Sequence, residues 1–395
     1  DPAELVTGAP ALDVPLRARS VFVDDQSRVV VFGEGTGLWR IEHDRTVSLW
    51  PGTEDLDVDL LFESNGLVLG DDGNLYVLED RGGLTSAATL SRITADGERT
   101  LLAGGVSDRD CCGSGGCGAV RDDRLGDGGD PLAACLSATT SHQLAYAPDG
   151  ALLFVHDGGR RLRRFGPEGR LSTVLVAADT DVLAADGTIL GRVDRFDDGP
   201  WVTPEGRIWL LGSTDRFSYT VRDRRIAGAV LLELREDGRL VALSAFDDTC
   251  TEERRPNVAS QRSAALADVC FFETGLDDIE WGPSGETYLL FAGRTLHRLS
   301  DGRLRHVAGT FAPILRTQPH SVDDGLEDFP LGAERDFAVL PNGDVVILSD
   351  FFFDFEHAPV ASAFGPLYVV GGRGERLEAD GIHVSLGGWD YVFSA

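Results

Sequence analysis

Apolar and polar positions alternate through most of this chain in short runs, and the runs come in pairs joined at a Gly-containing turn. The stretch SNGLVLGDDGNLYVLED (64–80) is one such pair, hinged on Asp72-Gly73. A period of two sends alternate side chains to opposite faces of a strand, so each pair predicts an antiparallel hairpin. Aligned on the hinge, the phrase, which is GLVLGDDGNLYVLED from Gly66 in this copy, has counterparts in altered wording in VFVDDQSRVVVFGEG from Val21 and QLAYAPDGALLFVHD from Gln143. It returns again as GPWVTPEGRIWLLGS from Gly199, DIEWGPSGETYLLFA from Asp278 and DFAVLPNGDVVILSD from Asp336. Most copies continue into a second hairpin, as in LSRITADGERTLLAGG and RLRRFGPEGRLSTVL. The hinge glycines predict a two-residue turn with positive φ at the Gly.

Six copies of four antiparallel strands predict an all-β, six-bladed β-propeller, a single domain over 1–395. One such sheet covers neither of its own faces, whereas sheets stacked around a centre cover one another and leave only short edges. The blades are expected at 19–50, 65–103, 142–176, 198–246, 277–309 and 335–388, with insertions at 104–141 and 247–276. Trp39, Trp201, Trp209 and Trp281 fall within strands, where packing between blades is the expected role.

The connections fall into two sets. Turns between strands one and two and between three and four are uniformly tight, as at Asp72-Gly73, Asp96-Gly97, Asp237-Gly238 and Asp301-Gly302. The other connections hold nearly every insertion: 104–141, 177–197, 213–227, 247–276, 310–334 and 350–365. In a propeller the two sets lie on opposite faces, so one face is plain and the other elaborate. Long loops on one face of a scaffold are where binding and catalytic groups concentrate. The residue eight places before each hinge begins the innermost strand on that elaborate face: Arg19, Asn65, His142, Asp198, Asp277 and Arg335. Its successors Ser20, Gln143, Asp278 and Asp336 are polar too. The hinge stays constant because it builds the fold, and these positions vary because each blade presents its own group.

Charge and cysteine narrow the function classes. The formal net charge is −29, and Arg supplies all 36 fixed cations, since the chain has no Lys. A field of that sign repels phosphate backbones and anionic lipid, so nucleic acid is excluded as a natural partner. The longest apolar runs are too short to span a bilayer. Asp1 in place of Met is read as the mark of a removed signal peptide or of trimming. Six cysteines, with Cys111, Cys112, Cys117 and Cys135 in one stretch and Cys250 and Cys270 in another, suit disulfides in an oxidising compartment. Zinc is the competing reading, but CCGSGGCG lacks paired C-x-x-C knuckles and a nearby His. Locality pairs Cys250 with Cys270 and leaves two bridges of open connectivity within 111–135. The expected location is secreted, extracellular or periplasmic.

The stretch GDGGDPLAACLSATTSHQLAYAPDGALLFVHDGGRRLRRFGPEGRLSTVL (126–175) resembles the NHL-repeat family of secreted six-bladed propellers. It runs, as they do, from a Gly-Asp-Gly-Gly loop through a Pro-Asp-Gly turn to an Arg-rich third strand. It departs from them in having Gly159 and Arg160 where an Asn-Arg pair is usual. That resemblance implies fold more than activity. At the innermost positions, Asn65, Asp198 and Asp277 resemble the metal ligands of the gluconolactonase and paraoxonase propellers. This implies Ca²⁺ on those residues and on Asp278, polarising an ester or lactone carbonyl, with His142 as general base. Arg19 and Arg335 in the same set support an ion-pair network instead. The reading favoured is a non-catalytic module that binds a protein or glycan through its loop-rich face, with Ca²⁺-dependent ester or lactone hydrolysis as the alternative. No EF-hand spacing, phosphate-binding glycine loop or G-x-S-x-G elbow is present.

Overall fold

The computed structural model describes residues 7–8, 18–24, 26, 28–33, 37–42, 44, 46–54, 56, 66–80, 87–106, 111, 120, 124–137, 143–221, 224–246, 263–272, 276–291, 295–309, 333–340, 345–350, 367–370, 382–386 and 389–393. Over these residues the chain is a β-protein of the propeller class, built from four-stranded antiparallel meanders with three short 3₁₀ turns. Its contacts divide it into two compact units. One holds Asp1–Asp57, Val258–Ala264 and Leu276–Ala395, and the other holds Val58–Asn257 and Ala265–Gly275.

The first sheet is β1 (Ala18–Val23), β2 (Val29–Gly33), β3 (Gly37–Ile41) and β4 (Val47–Leu49), in that order. The second is β5 (Leu67–Leu69), β6 (Leu75–Asp80), β7 (Ala87–Ile93) and β8 (Arg99–Ala103), with β9 (Leu136–Ser137) added against β7. The third is β10 (Leu144–Tyr146), β11 (Leu152–His156), β12 (Arg161–Phe165) and β13 (Leu171–Val176). The fourth comprises β14 (Asp181–Leu183), β15 (Ile189–Arg192), β16 (Arg195–Val202), β17 (Ile208–Val221), β18 (Arg224–Leu234) and β19 (Leu240–Ala242). Its order is β15-β14-β19-β18-β17-β16. Two short strands come from the 247–276 insertion: β20 (Ser263–Ala265) and β21 (Phe271–Phe272), the latter paired with β18. The fifth sheet is β22 (Asp278–Trp281), β23 (Thr287–Phe291), β24 (Thr295–Ser300) and β25 (Arg303–Gly309), with β20 on its outer edge. The last strands are β26 (Ala333–Val339), β27 (Val345–Asp350) and β28 (Leu367–Val370), followed by the hairpin β29 (Ile382–Leu386) and β30 (Trp389–Phe393).

Five sheets among the described residues therefore contain the complete four-strand meander, where the repeat count predicts six. Among the described residues the sixth copy forms a three-stranded sheet, and the final strands pair with each other. Burial explains why the strands read as they do. Every residue of β11 is buried, because Leu152 and Phe154 enter one core with Leu78, Leu90, Leu136 and Leu144, while Val155 enters another with Leu162, Phe196, Leu210 and Leu232. A strand covered on both faces loses its polar alternation. In the other unit Tyr288, Leu290 and Leu296 pack with Phe337 and Val345. Trp39, Trp201 and Trp209 are buried, as expected, and Trp281 is half-buried.

The hinges are a little longer than two residues. Gly150 N–H donates to Ala147 O at 2.8 Å and Ala147 N–H donates to Ala151 O at 2.8 Å, which is a type I turn followed by a left-handed Gly. Gly73, Gly150, Gly206 and Gly285 have φ of 73, 80, 83 and 84°. The Asp before the Gly has its own reason to recur: Asp72 Oδ1 accepts from Asn74 N–H and Asp149 Oδ1 from Ala151 N–H, each at 3.1 Å.

The insertions are less loop-like than their sequence suggests. Residues 213–221 and 224–227 extend a β-ladder, pairing Ser218 with Ala227 and Val221 with Arg224. The 177–197 stretch contains the β14–β15 hairpin, whose β14 lies parallel to β19. β14 thereby covers the edge of β19, which is one way to satisfy an edge's unpaired backbone groups.

Candidate functional site

Within the unit that holds the first and fifth sheets, β26 lies beside both β1 and β22. The polar positions at the starts of these strands meet. Asp336 Oδ2 accepts from Ser20 Oγ at 2.5 Å and from Val21 N–H at 2.8 Å, while its Oδ1 accepts from Phe337 N–H at 2.8 Å. Asp278 Oδ1 accepts from Ile279 N–H at 2.8 Å. Ser20, Asp278 and Asp336 are each 5% exposed. The charge of Asp278 lies close enough to oppose ionisation of Asp336. Glu280 stands two residues along β22 from Asp278 and therefore shares its face.

Three carboxyls so placed do not all ionise. Asp336 is pushed well above the usual carboxylate range by burial and by the charge of Asp278, against the opposing bonds from Ser20 and Val21. Glu280 is pushed up by burial and then by the charges of Asp278 and Asp336. The cluster retains protons where free carboxylates have lost theirs.

The ligand set expected from the sequence is only partly in view. Asn65 and His142 lie outside the described residues, as do the side chains of Arg19 and Arg335. Asp198 is half-buried in the other unit, where its Oδ1 accepts from Gly199 N–H at 2.8 Å. Asp277 is half-buried, and its N–H donates to Leu290 O at 2.9 Å. An oxygen-only donor set of this kind suits Ca²⁺ chemically. Among the described residues, however, no three His, Cys, Asp or Glu side chains group as a metal site. Among the described side chains, Ser20 and Asp336, which meet, and Asp278, beside Asp336, stand one place after the positions singled out by the repeat alignment. Glu280 was missed, although its signal was present, since a period of two carries Asp278 to Glu280 on one face.

A second feature is the 104–137 insertion on the second and third sheets. Cys111 and Cys135 form a disulfide across 24 residues. Both are buried with Val120, Leu125 and Val106 in a small core of their own. Two side chains of the third sheet anchor it. Arg163, wholly buried, donates from Nη2 to Leu125 O at 2.8 Å and to Asp127 Oδ1 at 2.7 Å, and from Nε to Ser172 O at 3.3 Å. Asp157 Oδ1 accepts from Val120 N–H at 2.8 Å, and its Oδ2 from Arg161 Nε at 3.2 Å. Burial lowers the Arg163 guanidinium to about 10, which leaves it charged at neutral pH. The adjoining His156 imidazole is held neutral, lowered to about 3 by burial and then by the charges of Arg163 and Arg161. Cys270 is also disulfide-bonded, and Cys112, Cys117 and Cys250 lie outside the described residues. Among the described residues no helix is long and apolar enough to cross a membrane.

Neither a protein-family model nor a curated protein sequence matches the chain. Solved structures similar to it include a protein of unknown function from Bacteroides thetaiotaomicron, at 12% identity and TM-score 0.48 over 85% of this chain and 67% of that one. An auxiliary nutrient binding protein from Bacteroides ovatus is similar at 11% identity and TM-score 0.47 over 87% of this chain and 69% of that one. A gluconolactonase from Xanthomonas campestris is similar at 14% identity and TM-score 0.40 over 94% of this chain and 86% of that one. Likeness at this level says nothing about activity.

Proposed function

We propose that the chain is an exported, non-catalytic recognition module that binds a protein or glycan partner through the loop platform braced by Cys111–Cys135. The observation that carries this reading is the construction of the platform itself. It has a disulfide, a private apolar core and two buried polar anchors from the third sheet. A loop that served only to connect strands would need none of these, whereas a recognition surface gains affinity from being held in shape beforehand. The contact between Arg163 and Asp127 also fits an NHL-type repeat, since it joins the Gly-Asp-Gly-Gly loop to the Arg-rich third strand. Disulfides support export to an oxidising compartment. The test compares ligands captured by the intact chain and by a chain lacking residues 106–134, on the same glycan array and the same secreted-protein extract. Loss of specific ligands with the loop is the expected result, and identical capture by both chains overturns the reading.

The burial of Asp278, one member of the expected ligand set, supports a second reading, a divalent-metal-dependent ester or lactone hydrolase. Within the same unit Ca²⁺ would be held by Asp277 and Asp278. Thermal melting of the protein with Ca²⁺ and with chelator tests it, alongside Asp277→Asn. This reading requires a shift that the variant abolishes, and fails if chelator and variant both leave the curve unmoved.

A further inference from the structure

A cleft of about 450 Å³ opens on the second sheet, lined by Glu79, Thr89, Ser91, Arg99 and Leu101. Its volume lies within the range of small-ligand pockets, roughly 300–1,000 Å³. Strand register puts these side chains on one face, since Glu79 stands across from Thr89 and Ser91 from Leu101. The opposite face, with Leu78, Leu90 and Ala103, is packed in the core. Thr89 and Ser91 are each 2% exposed, and neither hydroxyl has a hydrogen-bond partner among the described residues. Buried hydroxyls are normally satisfied, so two unpartnered ones on one cleft wall mark a place that receives hydrogen bonds from a ligand.

Charge narrows what that ligand can be. Glu79 and Arg99 form an ion pair from β6 to β8, so the lining carries no net charge. An anion would have to take Arg99 from Glu79 against a molecular charge of −29, and a cation would have to take Glu79 from Arg99. A hydroxyl needs neither exchange, because it can donate to the carboxylate, accept from the guanidinium and do either with Thr89 and Ser91. Leu101, 37% exposed, adds an apolar side suited to the C–H face of a ring. A polypeptide fits less well: it brings chiefly backbone groups, which need an unpaired strand edge, and β7 is paired with both β6 and β8.

The cleft adjoins the braced loop. Gly104 N–H donates to Pro131 O at 3.1 Å and Gly105 N–H to Leu132 O at 3.0 Å, which ties the end of β8 to the loop. A methyl group on Gly105 would meet Leu132 O at 3.0 Å and Leu101 Cδ2 at 3.5 Å, so Leu101 stands beside that turn. We propose that the cleft is the sugar subsite of this recognition surface. It receives a neutral sugar residue whose hydroxyls bond to Thr89, Ser91 and the Glu79–Arg99 pair. This deepens the platform reading, and rests on it, by choosing a neutral glycan as the partner.

The probes are glucose, galactose, mannose and N-acetylglucosamine, with glucuronate as the anionic control and a Ser–Asn repeat peptide as the polypeptide control. Each is titrated against the intact protein by NMR, observing the amides of Thr89 and Ser91. Binding of at least one neutral sugar is expected, with an affinity roughly tenfold or more lower for Thr89→Val/Ser91→Ala. The two hydroxyls have no partner to lose, so the double variant should keep the wild-type melting curve, and Ser91→Ala alone gives a milder version of the test. No binding by any neutral sugar, equal binding of glucuronate, tighter binding of the peptide, or equal binding by the variants overturns the proposal. The titration reads side chains of β6, β7 and β8 in the full chain, so it can fail while loss of ligands with residues 106–134 still supports the loop reading. It can also succeed where removing that loop changes nothing on the array, and the sugar site then stands while the platform falls.

Discussion

Arg163 joins three stretches of chain from one wholly buried position, and the two ends of its ion pair should respond very differently to substitution. Arg163→Met leaves Leu125 O and Ser172 O without their donor in the interior, and is expected to cost about 2–3 kcal/mol in chemical denaturation. Asp127→Asn, with a side chain 43% exposed, keeps a hydrogen-bond acceptor in place and should cost less than about 1 kcal/mol. The carboxyl cluster makes a prediction in pH. Glu280 and Asp336 titrate higher folded than unfolded, so the native state holds more protons once pH passes the ordinary carboxylate range. Stability is then lost as pH rises towards the raised values. His156 and His297, both lowered to about 3, act in the opposite direction, with stability lost as pH falls below about 6.5. The difference in melting temperature between Glu280→Gln and wild type removes the histidine contribution. It should be near zero in acid and grow in favour of the variant as pH rises through and above the carboxylate range. A flat difference would mean that Glu280 is not part of the cluster.

At the scale of the element, the Asp-Gly hinges were legible in the sequence because their causes are local. Gly73, Gly150, Gly206 and Gly285 need positive φ, and an Asp caps the turn from within it. The short strands β9, β14 and β20 were not legible. Each has two or three residues and pairs with a strand remote in sequence, so no period marks it. The disulfide loop lies between these cases: locality narrowed the pairing, and only packing singled out Cys111 with Cys135. Replacing both by Ser is expected to cost about 2–4 kcal/mol in denaturant unfolding, from the freedom returned to the unfolded loop. It should also speed amide exchange at Val120, whose N–H is held by Asp157. Unchanged stability and exchange would show that the two anchors hold the loop without the covalent bond.

For the whole molecule, period and repeat led to the propeller class, and among the described residues five complete meanders carry it where six were expected. The candidate site was harder to read because it depends on which sheets become neighbours. Ser20 and Asp336 bond across 316 positions of sequence, and a one-residue slip in aligning the repeats is enough to choose Asp277 over Asp278. The net charge of −29 bears on the molecule as a partner, favouring encounter with cationic surfaces and making that encounter sensitive to salt. The central claim is that the braced loop is a recognition surface. Its most direct test measures the affinity of a ligand captured on the array for the intact chain and for Arg124→Glu/Leu132→Glu. That variant alters two exposed side chains of the platform and leaves its core untouched. The account predicts an affinity at least about tenfold weaker with an unchanged melting curve, and an affinity equal to that of the intact chain would contradict it.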